Sequence, residues 1–159
     1  MTKYKTLFFI ALCAALIELS TADCLDSWVR FGDSCYFFGH DDKSFQDAER
    51  YCVHFHAHLT NIETSSEGAF IRSFLSDLKY PKHWIGVTDE IIEGVWKYYP
   101  SETSAHYQDW GHGQPNNGKA SNCVAIWESY GYHWVDEPCN NMFKPLCERP
   151  ADYEEVVGR

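Results

Sequence analysis

Basic residues are scarce in this chain. Its 13 lysines and arginines stand against 23 aspartates and glutamates, a formal net charge of −10. A surface so acidic repels phosphate backbones and anionic lipid, which argues against nucleic acid or membrane as partner. No Cys-x-x-Cys pair occurs, so the usual structural zinc spacing is missing. There is no nucleophile elbow, no His-Glu-x-x-His run and no glycine-rich phosphate loop. Those gaps favour a binding protein over an enzyme. The chain also lacks an Asn-x-Ser/Thr sequon, an internal repeat and, beyond Ile17, any apolar run able to cross a bilayer of about 30 Å.

What is present begins with a leader. Lys3 and Lys5 precede the apolar run Leu7 to Ile17, and Ser20, Thr21 and Ala22 supply the small residues a signal peptidase reads. Residues 1–22 are therefore expected to be a signal peptide. Without Lys3, Lys5 and Glu18, 11 basic and 22 acidic residues remain, a mature charge of −11. Of the seven cysteines Cys13 leaves with the leader, and the six others form an even set that reads as three disulfides in a secreted chain. Six cysteines allow 15 pairings, and their spacing alone chooses none. The 45% apolar content suits one domain with a real core, expected over residues 23–149, followed by an acidic tail over 150–159.

Along the chain, Gly32-Asp33-Ser34 marks a turn between Trp28-Val29-Arg30 and Cys35-Tyr36-Phe37, a hairpin pattern. Ser44 with Asp47 three residues on predicts a helix start, and Phe45, Ala48, Tyr51, Cys52 and Phe55 share one face. A second helix is expected from Ser65 or Ser66, with Glu67 in its first turn and Phe70, Ile71, Phe74 and Leu75 buried. From His83 the pattern changes to short aromatic strands, at 83–87, 94–98, 124–127 and 143–147. Between them runs a long segment, Pro100 to Ser121, rich in Gly, Asn, Ser and Pro. A loop of that length in a compact domain is usually functional or disordered. His54, His56 and His58 alternate, but a helix ending near Phe55 fans them apart instead of gathering them on a metal.

Trp84-Ile85-Gly86, Glu93-Gly94-Val95-Trp96, Gln114-Pro115-Asn116, Trp134-Val135-Asp136 with Cys139 three residues on, and Cys147 together resemble the C-type lectin-like domain over Cys24 to Glu148. The resemblance implies an α+β fold of two helices, short antiparallel strands and a long polar loop. It also implies the bridges Cys24–Cys35, Cys52–Cys147 and Cys123–Cys139, the first marking the long form of the domain. Within the family, Phe70-Ile71-Arg72 and the turn around Ile92-Glu93-Gly94 look like the perlucin type of mollusc shell lectin.

The resemblance places a principal calcium at Gln114, Asn116, Ser121, Val135 and Asp136, with Pro115 in a cis turn. Ser121 is short and neutral, Val135 carries no side-chain oxygen, and Asp136 supplies the only formal negative charge. Calcium wants six to eight oxygens and binds more tightly as ligand charge rises, so this set predicts weak binding at best. Both flanks of Pro115 are amides, a hybrid of the mannose-type and galactose-type patterns that leaves the sugar open. An auxiliary calcium maps to Asp89, Glu93, Asn117 and Asn122, with two carboxylates and two amides. Trp110 and Tyr130 are the aromatics expected to be exposed for stacking on a sugar face, while Trp84, Trp96 and Trp134 are expected in the core. The implied function is a secreted, calcium-assisted binder of glycans or glycoproteins in a calcified extracellular matrix, in contact with calcium carbonate. A soluble immune lectin for microbial glycans, or a lectin-like protein-binding module, is the alternative.

Overall fold

The computed structural model describes residues 24–152, so the leader and residues 153–159 of the tail lie outside the described part. A short hairpin opens it: β1 (Val29–Phe31) and β2 (Ser34–Phe38) pair antiparallel around the Gly32 turn. Helix α1 (Phe45–His54) follows, capped by Ser44, whose hydroxyl accepts from the Asp47 amide at 3.2 Å. The two-residue strand β3 (His58–Leu59) leads to α2 (Ser65–Leu78). The cap of α2 is Thr64, one residue before the expected start, and its hydroxyl accepts from the Glu67 amide. Both caps satisfy amides that a helix end leaves without partners.

The second half forms the sheet. Strands β4 (Lys82–Thr88), β5 (Lys97–Tyr98), β6 (Cys123–Trp127), β7 (His133–Glu137) and β8 (Lys144–Pro150) join the hairpin in the order β1-β2-β8-β4-β6-β7. Strand β3 adds to β8 and β5 to β4, and every pairing is antiparallel except β4 with β8. The chain goes on past Pro150, where the Ala151 amide donates to the Asp33 carbonyl at 2.8 Å.

The sheet buries both faces, as the alternation of its strands requires. Ile85, Val87, Val124 and Ile126 pack with Ile71 and Leu75 of α2, while Trp84 and Ala125 pack with Phe45, Ala48 and Cys52 of α1. Trp84 is fully buried and its indole N–H donates to the Lys43 carbonyl at 2.8 Å. Gly86 lies where the chain leaving β3 crosses β4. A Cβ there would stand 2.4 Å from the Leu59 carbonyl oxygen, so only glycine lets the two backbones meet.

Three disulfides fasten these layers: Cys24–Cys35, Cys52–Cys147 and Cys123–Cys139, with Cα separations of 5.6, 5.4 and 5.1 Å. These are the pairings the family resemblance implies. The second spans 95 residues and ties α1 to β8. The expected burial along α2 is partly corrected. Ile71 and Leu75 are buried, but Phe70 and Phe74 are half-buried, packed against the edge of their core. The three histidines separate, His54 in the last turn of α1, His56 at a positive φ of 54° and His58 in β3.

Candidate functional site: the prolyl turn and the adjoining carboxylate cleft

Strand β5 is shorter than the expected run over 94–98, and the reason shapes the site. Asp89 follows β4 directly, and one of its carboxylate oxygens accepts from the Gly94 amide at 2.7 Å. The Val95 amide then donates to the Ile92 carbonyl at 2.9 Å, and Gly94 takes a φ of +77°, a conformation that favours glycine. Residues 89–95 thus close into a tight loop, leaving only Lys97 and Tyr98 to pair.

The long segment is held to the sheet by its backbone. Gly111 donates to the Trp134 carbonyl and Trp134 to the Asp109 carbonyl, both at 2.8 Å, and Ala105 donates to Trp96. Asp109 also receives Arg72 of α2 and sits 2.9 Å from Nδ1 of His133. The Gln114–Pro115 bond is cis, as the motif predicts, and Tyr99–Pro100 is a second cis bond that the sequence reading missed.

Asp136 is the hinge pin of the prolyl turn. It is 1% exposed, and its two carboxylate oxygens accept from the Asn116 amide at 2.9 Å and the Asn117 amide at 2.8 Å. The Asn117 side-chain amide returns a bond to the Asp136 carbonyl at 3.0 Å. Asn116 and Asp136 are therefore brought together, with Gln114 on the other side of the cis prolyl bond, and Ser121 and Val135 are both buried. The Gln114 side-chain oxygen is buried without a hydrogen-bond partner. As a principal calcium position the set does not fit. Val135 offers no oxygen, and the single carboxylate already bonds two backbone amides through both oxygens.

The auxiliary set converges better. Asp89, Glu93 and Asn122 line one cleft of about 300 Å³ together with Glu90, Ile91 and Lys119. The second oxygen of Asp89 and the side-chain oxygen of Asn122 are both buried and have no donor. Burial raises the Asp89 carboxyl above its ordinary value, and the neighbouring Asp136 charge adds to this despite the Gly94 amide. An orphaned oxygen on the Asp89 carboxylate and another on Asn122, with the Glu93 carboxylate on the same cleft, are chemistry that a divalent cation satisfies, with water completing six to eight ligands. Asn117 is not among the residues lining this cleft, and its side-chain N–H donates to the Asp136 carbonyl.

The aromatic expectations divide. Trp84, Trp96 and Trp134 are buried, as expected. Trp110 and Tyr130 are half-buried instead of exposed. Trp110 packs edge-on against Trp96 and Trp134, at ring centroid distances of 4.7 and 5.7 Å, and its N–H donates to the Gln108 side chain. Tyr130 lies 5.7 Å from the Trp127 ring and covers Gly111, where a Cβ would meet it at 2.7 Å. The sequence reading missed Lys119 in the cleft and the Arg72–Asp109–His133 brace. Only the place of Lys119, three residues before Asn122, signalled the first.

Comparison with known proteins agrees with this architecture. The Lectin C-type domain family matches residues 41–149. A "Perlucin-like protein" of Mytilus galloprovincialis is 31% identical over 140 residues, 85% of this chain and 88% of its own length. A "C-type lectin mannose-binding isoform" of Notechis scutatus scutatus is 32% identical over 149 residues, 90% of this chain and 94% of its own. Among solved structures, the carbohydrate-recognition domain of the mouse scavenger receptor C-type lectin superposes with a TM-score of 0.73 at 29% identity, covering 80% of this chain and 98% of that one. The cow CD23 domain, solved in the presence of a GlcNAc2Man3 oligosaccharide, gives a TM-score of 0.71 at 29% identity, covering 82% and 98%. The family match over residues 41–149 and the relatives above 30% identity lead to one conclusion: the chain belongs to the C-type lectin domain family.

Proposed function

We propose that this protein is a secreted glycan-binding lectin of a calcified extracellular matrix, acting as a binding module without catalytic chemistry. The observation that carries the reading is the prolyl turn held by Asp136, which presents the exposed Asn116 amide next to Gln114. An amide supplies both a donor and an acceptor, the pattern a pair of vicinal sugar hydroxyls needs. Trp110 and Tyr130 offer partial ring faces beside the turn. A calcium ion would be held by Asp89, Glu93 and Asn122, where it would fix the 89–95 loop and neutralise the buried carboxylate. Similarity to the mussel perlucin-like protein supports the shell-matrix setting, and the net charge of −10 suits contact with calcium carbonate.

The test joins a glycan array to a crystal-growth assay. The reading predicts glycan binding that falls when Asn116 is changed to Ala, and calcium carbonate nucleation accelerated by the intact protein. Glycan binding with no effect on mineral growth would favour a soluble lectin instead, and loss of neither activity in Asn116→Ala would remove the turn from the site.

A further inference from the structure

The 89–95 loop is a partition with a second cleft on its other side. That cleft, of about 190 Å³, is lined by residues 88, 90, 91 and 95 at the loop and by residues 97–100 and 102 beyond it in sequence. It has room for roughly six waters at about 30 Å³ each, the size of one long side chain. Its lip is unusually apolar. Ile91, Ile92 and Val95 are 57, 54 and 42% exposed, three large aliphatic residues in a span of five. Contiguous apolar surface on an otherwise acidic protein marks an interaction site more often than chance placement.

We propose that this cleft docks a basic, aliphatic segment of a partner protein, one lysine or arginine lying in the slot with its stem against Ile91, Val95 and Pro100. Glu90 and Glu102 then meet the cationic head, and neighbouring aliphatic side chains cover Ile91 and Ile92. The charge balance selects this occupant. Two carboxylates, Glu90 and Glu102, oppose the one ammonium of Lys97 in the lining, and the whole chain carries −10. Long basic side chains bury their stems on apolar surface while keeping the head charged, which an acidic or neutral segment does not do here. The site is separate from the prolyl turn, and it shares only Glu90 and Ile91 with the carboxylate cleft.

Fluorescence anisotropy with the full mature chain in chelator tests this. The probe is a labelled ten-residue peptide alternating lysine and leucine, compared with versions carrying glutamate for lysine or serine for leucine. The proposal expects saturable, salt-sensitive binding of the first peptide only, weakened about ten-fold by Ile91→Ser and about five-fold by Glu102→Gln. Ile91 is largely solvent-exposed, so its replacement leaves the fold intact, which circular dichroism confirms in parallel. Equal binding of the glutamate peptide, or unchanged affinity in both variants, overturns the proposal. So does a shift from dimer to monomer in Ile91→Ser by sedimentation with no change in peptide binding, since the occupant would then be a second copy of the chain.

Discussion

Replacing Asp136 by Ala in the complete absence of metal separates the two roles a carboxylate at this position can have. As a calcium ligand only, it would be dispensable in chelator, and its removal would relieve a buried charge. The structure gives it another role, because both oxygens accept backbone amides of the prolyl turn at 2.9 and 2.8 Å while the residue is 1% exposed. Hydrogen bonds to a charged acceptor contribute about 1.5–3 kcal/mol each, and the two donors, on an exposed turn, regain water when released. The expected net loss is therefore about 3 kcal/mol, read by urea unfolding in chelator at neutral pH. Asp136→Asn retains one oxygen acceptor and should lose about half as much. Native-state hydrogen exchange should localise the change to the amides of Asn116 and Asn117. A loss below about 1 kcal/mol in chelator, with exchange at those amides unaltered, would refute the clamp.

Two further outcomes follow from buried or confined charge. Burial, with the charge of Glu148 adding to it, pushes Glu67 up to about 7 even though the Glu63 amide and the Tyr36 hydroxyl donate to it. A carboxyl raised in the folded state holds a proton there that the unfolded chain releases near its ordinary value. Its stabilising contribution is thus complete below about pH 4.5 and lost as pH rises through about 7. Unfolding free energy should fall by about 3 kcal/mol across that window from this group, and Glu67→Gln should flatten the slope in a pH series of denaturation curves. In the carboxylate cleft, Lys119 shares space with Asp89 and Glu93 and opposes any cation entering it. Lys119→Gln should tighten calcium binding roughly five-fold by titration calorimetry, and an unchanged affinity would show that its ammonium stays in solvent.

Much of the fold was legible because local chemistry announces itself. Ser44 and Asp47 wrote the first helix start in four residues, and the apolar, aromatic run His83 to Val87 announced a strand that the fold covers on both faces. Strand β7 escaped as a strand because Trp134 and Asp136 drew attention as site residues, although they alternate as any strand does. Strand β5 was overdrawn since nothing in Gly94-Val95-Trp96 reveals that the Asp89 carboxylate folds the chain back at Gly94. Trp110 illustrates a deeper limit. Within an irregular segment no periodicity says which side is inward, and only its contacts with Trp96 and Trp134 decide it. Of the site residues, Asp89, Glu93 and Asn122 line one cleft, while the Asn117 side-chain N–H is drawn to the Asp136 carbonyl by a long-range bond that no local pattern announces.

The most direct measurement is calcium titration calorimetry on the mature protein and on Asp89→Asn, with Asp136→Asn as the companion. A dissociation constant in the range of about 0.1–1 mM is predicted for the unaltered chain, as for extracellular calcium modules. Asp89→Asn should abolish the heat, and Asp136→Asn should leave it within a few-fold. Calcium that disappears with Asp136→Asn and persists in Asp89→Asn would place the ion at the prolyl turn and contradict the account.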